Sequence, residues 1–181
     1  MRYRRAVLVA VLAVVAGAAH AAPVAQTPAL ITAPGLAPEG ELVRVLCQRI
    51  GLFVTYDPLA ESRDLAKFRS VMIIIGGSGK GLGAAGIDVQ EELKRADALL
   101  TEAKRLRLFV IGIHVGGEDR RGPTSAKFID LVTPRVNYLI VRADGNRDGI
   151  FTRLAREHNV PLTIIQQTVE LTAVLRQLYG L

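Results

Sequence analysis

Short apolar segments alternate with helix-like patterns along most of the chain. Apolar residues at three- and four-residue spacing predict helices at 38–50, 60–67, 88–106, 125–133, 149–158 and 168–179. The segments between them predict strands at 29–32, 52–56, 70–76, 108–114, 137–142 and 162–166. Residues 71–75 and 108–111 are apolar without interruption, as parallel strands covered on both faces usually are. We therefore predict a single three-layer α/β domain at 29–181, Rossmann-like or flavodoxin-like, with a mostly parallel sheet of five to six strands.

The first 21 residues have the pattern of a cleavable signal peptide. Three arginines precede an apolar run at residues 6–16, and Ala19-His20-Ala21 matches the small-x-small pattern of a cleavage site. The run is shorter than the ~20 apolar residues that a membrane span needs. The sequence thus predicts a signal peptide at 1–21, a flexible Pro/Ala spacer at 22–28, and a secreted or periplasmic protein without a permanent membrane span. Arg4-Arg5 leaves the twin-arginine route open beside the general one.

Removal of residues 1–21 lowers the net charge of the chain. The first acidic residue is Glu39, so cleavage removes three arginines and no carboxylate, and the formal charge falls from +6 to +3. A mildly basic domain without runs of like charge does not indicate nucleic-acid binding. The single cysteine, Cys47, excludes an intrachain disulfide and lies at an apolar helix position, which favours a buried core residue over a reactive thiol.

A glycine-rich segment at residues 76–86 follows the most apolar predicted strand, and it contains six glycines in eleven residues. Such a loop frees backbone N–H groups for an anion, and its lysine adds a positive charge. It is not a Walker A loop, because Gly81 follows Lys80 where Ser or Thr is required. The G-x-G-x-x-G spacing at 81–86 lacks the acidic residue at the end of the next strand that a dinucleotide needs. We predict ligand contacts from Gly77, Ser78, Gly79, Lys80 and Gly81, the alternative being a turn that packing requires.

The loop after the next predicted strand brings together an imidazole, two carboxylates and two guanidiniums. His114, Gly116, Gly117, Arg120 and Arg121 are the residues that we predict to contact a ligand there. Paired arginines can bind a carboxylate or phosphate through two hydrogen bonds. They can equally pair with Glu118 and Asp119 on a solvated loop. His114 is either a structural histidine or an acid/base catalyst.

A third loop, Asp144-Gly145-Asn146-Arg147-Asp148-Gly149, matches the first half of a calcium-binding loop. The position that requires a bidentate glutamate is Ala155, so calcium binding is not predicted. Asp148 is instead expected to cap the helix that begins near Gly149. The sequence predicts no metal site and no cofactor.

These motifs carry a resemblance to a family. The run from Gly76 to Asp88, followed by His114-Val115-Gly116-Gly117 and Arg120-Arg121-Gly122, resembles an uncharacterised family of exported bacterial proteins, domain of unknown function 6305. This chain has Gly79 and Ala126 where the family pattern has a serine and an acidic residue. Position 79 therefore offers no hydroxyl. The resemblance implies an exported α/β protein and brings no activity with it.

The residues thus support one leading hypothesis and two alternatives. The leading one is an exported binding domain for a small anionic ligand at the carboxyl ends of the strands. The first alternative is a hydrolase or transferase for an anionic substrate, with His114 as acid/base and Ser78 as nucleophile. The second is a non-catalytic interaction module in the cell envelope.

Overall fold

The computed structural model describes residues 24–181, so the predicted signal peptide at 1–21 lies outside the described residues. The described part of the predicted spacer is held in place. The backbone N–H groups of Val24 and Ala25 donate to the carbonyl of Leu178, and Ala25 is buried. The carbonyl of Gln26 accepts a 2.6 Å hydrogen bond from the Ser70 hydroxyl.

A parallel sheet of six strands forms the centre of the fold. Its strands run β2-β1-β3-β4-β5-β6 across the sheet. Each lies inside a predicted segment, the ends differing by up to two residues: β1 Ala29–Thr32, β2 Val54–Tyr56, β3 Ser70–Ile74, β4 Phe109–His114, β5 Tyr138–Arg142 and β6 Leu162–Ile165. The prediction of a parallel α/β sheet is confirmed. The 2-1-3-4-5 order is that of flavodoxin-like folds, here extended by one strand.

Helices cover both faces of this sheet. They are α1 Glu39–Arg49, α2 Gly79–Ala85, α3 Val89–Arg105, α4 Pro123–Val132, α5 Ile150–Glu157 and α6 Leu171–Tyr179. α1 and α6 pack on one face through residues that include Val43, Cys47 and Leu175. α3, α4 and α5 pack on the other, where Leu99 and Phe151 are fully buried. The predicted helix at 60–67 is a 3-10 helix, Ser62–Lys67.

Cys47 belongs to the core, as predicted. Its side chain is fully buried under α1, and burial raises the pKa of its thiol to about 12. The thiol is therefore protonated at neutral pH, and it does not have the reactivity of a thiolate.

The glycine-rich segment is not a continuous loop, which corrects the prediction for residues 76–86. Residues 79–85 form α2, because the Ser78 hydroxyl accepts a 3.0 Å hydrogen bond from the Gly81 N–H and caps the helix. Leu82 anchors the helix in the core, and Gly86 ends it in the left-handed region at φ 66°. Within the segment only Gly86 has a positive φ, so most of its glycines do not supply the expected left-handed backbone.

Candidate functional site

The strand order reverses at the carboxyl ends of β1 and β3. The chain passes from β1 outward to β2 and then returns to the other side of β1 as β3, so the loops after these two strands diverge. Ligands of open parallel sheets bind at this reversal of strand order. One hydrogen bond of 2.8 Å still joins the loop after β1 to the loop after β3, and the Ser78 N–H donates it to the Gly35 carbonyl.

An ion pair spans the carboxyl end of β3, next to this reversal. Arg120, in the loop after β4, donates from Nε to Oε1 of Glu39 at 2.7 Å. Glu39 is the first residue of α1, and α1 follows β1. Because β3 lies between β1 and β4 in the sheet, this pair links the loops on either side of the carboxyl end of β3.

Only one edge of the Arg120 guanidinium is engaged. Among residues 24–181, its two terminal nitrogens make no hydrogen bond, and the side chain is one-third exposed. The glutamate therefore fixes the orientation of the group and leaves the Nη1/Nη2 edge facing outward. That edge matches the two oxygens of a carboxylate or phosphate.

Gly116 allows Arg120 to lie across the loop. A Cβ atom added at position 116 would lie 2.2 Å from Cγ of Arg120 and 2.9 Å from Oε1 of Glu39. Any side chain at this position would displace the arginine or its partner. The predicted glycine is thus required by close approach rather than by its backbone angles.

Arg121, predicted to act together with Arg120, is instead committed to the protein. Its terminal nitrogens donate to both oxygens of Asp148, at 3.0 and 2.7 Å, and also to the Gly145 carbonyl. The guanidinium lies 5.5 Å from the ring centre of Phe151. Hydrogen bonding from Arg121 lowers the pKa of Asp148 to about 2, so the pair is ionised over the whole physiological range.

The ion pairs of these loops differ from the predicted ones. Glu118 pairs with Arg147 rather than with a neighbouring arginine, and Arg142 donates to both oxygens of Asp144 at 2.7 and 2.6 Å. Asp148 was predicted to cap α5, but Asn146 Oδ1 accepts the N–H groups at the start of that helix. The Asp148 carboxylate is held by Arg121, and its contact to the α5 backbone is a long 3.3 Å.

His114 is fully buried at the end of β4. Its Nδ1 lies 2.9 Å from the Ile75 carbonyl and its Nε2 lies 3.3 Å from the Gly117 carbonyl. Its ring packs 4.8 Å from that of Phe151. Burial, the largest influence, lowers the pKa of the imidazole. The structure therefore gives His114 the contacts of a structural histidine that ties the loops after β3 and β4 together.

Ser78 and His114 do not form a nucleophile–base pair in the described residues. The Ser78 hydroxyl caps α2, and the His114 ring nitrogens both face backbone carbonyls. Gly77 donates its N–H to the buried Ser125 hydroxyl at 2.9 Å. Gly79 and Lys80 are exposed in the first turn of α2, and within residues 24–181 Lys80 makes no ion pair. No contact in the described part joins Lys80 to Arg120 or Arg121.

Glu92 is a site residue that the sequence patterns did not reveal. Its carboxylate is almost completely buried, and Oε1 accepts a 2.9 Å hydrogen bond from the N–H of Gly35 in the loop after β1. Arg95 pairs with the same carboxylate through two hydrogen bonds of 2.9 and 2.7 Å. In sequence the two look like an ordinary surface pair on α3, and only the topology brings Glu92 against the loop after β1.

In residues 24–181, no group of three or more histidine, cysteine, aspartate or glutamate side chains is placed to hold a metal ion. Nor does any helix within that range have the length and apolar character needed to cross a membrane.

The fold is that of an α/β protein with a flavodoxin-like parallel sheet, and Arg120 lies in the loop after β4, beside the strand-order reversal. The chain belongs to the family described as domain of unknown function DUF6305, whose model matches residues 26–179. The family resemblance seen in the sequence is thereby confirmed.

Comparison with individual proteins adds little to this assignment. No curated protein matches the chain. Among solved structures, the chain is similar to the crystal structure of a psychrotrophic esterase, EstA from Pseudoalteromonas sp., inhibited by monoethylphosphonate. The identity is 14%, the match covers 76% of each chain, and the TM-score is 0.32. A likeness at this level informs neither the site nor the activity.

Proposed function

We propose that this protein is a binding domain for a small anionic ligand at the carboxyl edge of its sheet. The observation that carries the proposal is the guanidinium of Arg120, which is held by Glu39 through Nε alone. Its two terminal nitrogens make no hydrogen bond within residues 24–181, and the group lies beside the strand-order reversal at which ligands of this sheet type bind. A partly buried, pre-oriented guanidinium makes stronger hydrogen bonds to an anion than a freely moving surface arginine does.

Lys80 supports the same proposal from the neighbouring loop. It lies two residues after Ser78, whose backbone is fixed against the loop after β1, and it has no carboxylate partner in the described part of the chain. Lys80 thus leaves one unpaired positive charge at this edge, in addition to the terminal nitrogens of Arg120, whereas the terminal nitrogens of Arg121 are taken up by Asp148. The ligand of the proposal is accordingly a small phosphate or carboxylate.

Calorimetric titration with inorganic phosphate and with citrate tests the proposal. Replacing Arg120 by Gln keeps a donor for Glu39 but removes the charge and the planar fork, so we expect affinity to fall by roughly tenfold or more. The matched control is Arg153→Gln, which removes an exposed arginine of α5 that pairs with Glu157. Equal heats for the wild type and Arg120→Gln would refute the proposal, as would an equal loss in the control.

We propose in addition that the protein is exported. The support is the sequence of residues 1–21, with three arginines, an apolar run and a cleavage pattern. Mass spectrometry of cell fractions tests this directly. The expected product begins at Ala22 and occurs outside the cytoplasm, and a cytoplasmic product that retains residues 1–21 would contradict export.

A further inference from the structure

A cavity opens at the opposite, amino edge of the sheet, and its volume is about 650 Å³. It lies where β3, β4 and β5 begin, next to the last turn of α3. Its wall includes the aliphatic side chains of Leu100, Leu108 and Val136, all largely buried. Four cationic side chains also line it: Arg69, Lys104, Arg107 and Arg135.

The charges of this cavity are not balanced. No acidic residue lines it. Arg135 is held from outside by Asp97 and by the Thr101 hydroxyl at 2.8 Å. Within the described chain, Arg69, Lys104 and Arg107 form no ion pair. Three unpaired, exposed cations at one cavity repel each other weakly, because solvent screens them, and a bound anion would relieve that repulsion.

Arg107 occupies a backbone position that favours glycine. α1, α3 and α5 all end in the same way, with a residue in the left-handed region followed by an N–H that bonds five residues back. These residues are Gly51 at φ 74°, Arg107 at φ 56° and Asn159 at φ 55°. Glycine adopts this conformation without strain, and asparagine adopts it more readily than other residues. At Arg107 the chain instead places a long cationic side chain at the cavity, at a cost in backbone strain.

We infer that this cavity binds a small organic anion with two or more negative charges and an apolar part. Its volume lies within the ~300–1,000 Å³ of small-molecule sites. The cationic side chains match a phosphate ester or polycarboxylate, and the aliphatic wall matches an apolar group attached to it. The site goes beyond the proposed function and is independent of it, because this cavity and Arg120 lie at opposite edges of the sheet.

Phenyl phosphate, a dianion with an apolar ring, is the probe for this site. Titrations are done in the Arg120→Gln background, so that the carboxyl-edge site does not contribute. Adding Arg107→Gly is expected to weaken binding roughly five- to tenfold. Because glycine fits the left-handed backbone, the same change is expected to keep or raise the melting temperature, which separates lost binding from lost folding.

Asn159→Gly is the matched control. It makes the same kind of backbone change at the end of α5, outside the cavity lining, and is expected to leave the affinity for phenyl phosphate unchanged. Equal affinity with and without Arg107→Gly would overturn the inference, and so would an equal loss in the Asn159→Gly control. Inorganic phosphate binding as tightly as phenyl phosphate would overturn the apolar part of the assignment.

Discussion

Cationic side chains at the two edges of the sheet differ in whether the protein supplies a carboxylate partner. At the carboxyl edge, Arg121 and Arg142 each donate to both oxygens of an aspartate. At the amino edge, Arg69, Lys104 and Arg107 line one cavity, and the described chain provides none of them with a carboxylate partner. Arginines of the first kind hold loops in place, so their removal lowers stability. Within residues 24–181 the cations of the second kind make no such contacts, so we expect their removal to leave stability unchanged or slightly higher.

Glu92→Ala should have the largest effect on stability. The change removes the buried carboxylate that pairs with Arg95 and accepts the hydrogen bond from the Gly35 N–H. Breaking a buried ion pair by removing one partner costs about 3 kcal/mol or more of stability. Chemical denaturation measures the loss. Glu102→Ala is the control, since Glu102 and Arg105 have the same spacing on the same helix but are more exposed. A similar loss for both variants would show that the buried pair has no special role at the carboxyl edge.

Arg121→Ala should have the next largest effect. It removes the hydrogen bonds to Asp148 and the Gly145 carbonyl, and a largely buried, charged hydrogen-bond donor contributes about 2 kcal/mol. The pKa of Asp148 should also rise from about 2 toward 3.8, which NMR titration of the carboxyl group detects. Arg147→Ala, which breaks an exposed pair with Glu118, should change little. An unchanged Asp148 pKa would contradict the pairing of Arg121 with Asp148.

His114 should make stability depend on pH. Its folded-state pKa is lowered, so the unfolded chain binds a proton more readily. Stability should therefore be constant above pH 6.5 and fall as the pH drops below it, by at most about 1.4 kcal/mol for the first pH unit. Denaturation at a series of pH values tests this. The dependence should disappear in His114→Gln and persist in His158→Gln, and its persistence in both would exclude His114 as the cause.

Arg107→Gly should have the smallest effect on stability, and its sign should be opposite. It relieves left-handed backbone strain and repulsion at the amino edge, a gain of about 1 kcal/mol at low salt. Thermal denaturation at low and high salt separates the two contributions, since only the repulsion is screened. A clear loss of stability in Arg107→Gly would contradict the proposed difference between the cations of the two edges.

Much of the fold followed from local patterns, whereas the site did not. Uninterrupted apolar runs such as 71–75 identified central parallel strands, because burial on both faces leaves no polar positions. α2 was missed because it has no apolar periodicity and glycine disfavours helices. Its local cap from Ser78 was outweighed by the glycines, and the burial of Leu82 is a tertiary effect.

The partners of the loop arginines could not be predicted from sequence. Arg120 was expected to contact a ligand or the adjacent carboxylates, but Glu39 lies 81 residues away along the chain. It reaches Arg120 only because β1 and β4 flank β3, and strand order is not encoded in local spacing. The two arginines look equivalent in the sequence, and only their partners distinguish the committed Arg121 from the half-engaged Arg120.

Mapping of anion binding by backbone amide NMR tests the central claim most directly, namely that Arg120 is the ligand-binding group of the carboxyl edge. On addition of inorganic phosphate, the amides of Gly116, Gly117 and Arg120 should shift in a saturable way. These shifts should disappear in Arg120→Gln and persist in Arg153→Gln. Absence of shifts in this loop, or the same shifts in Arg120→Gln, would contradict the account.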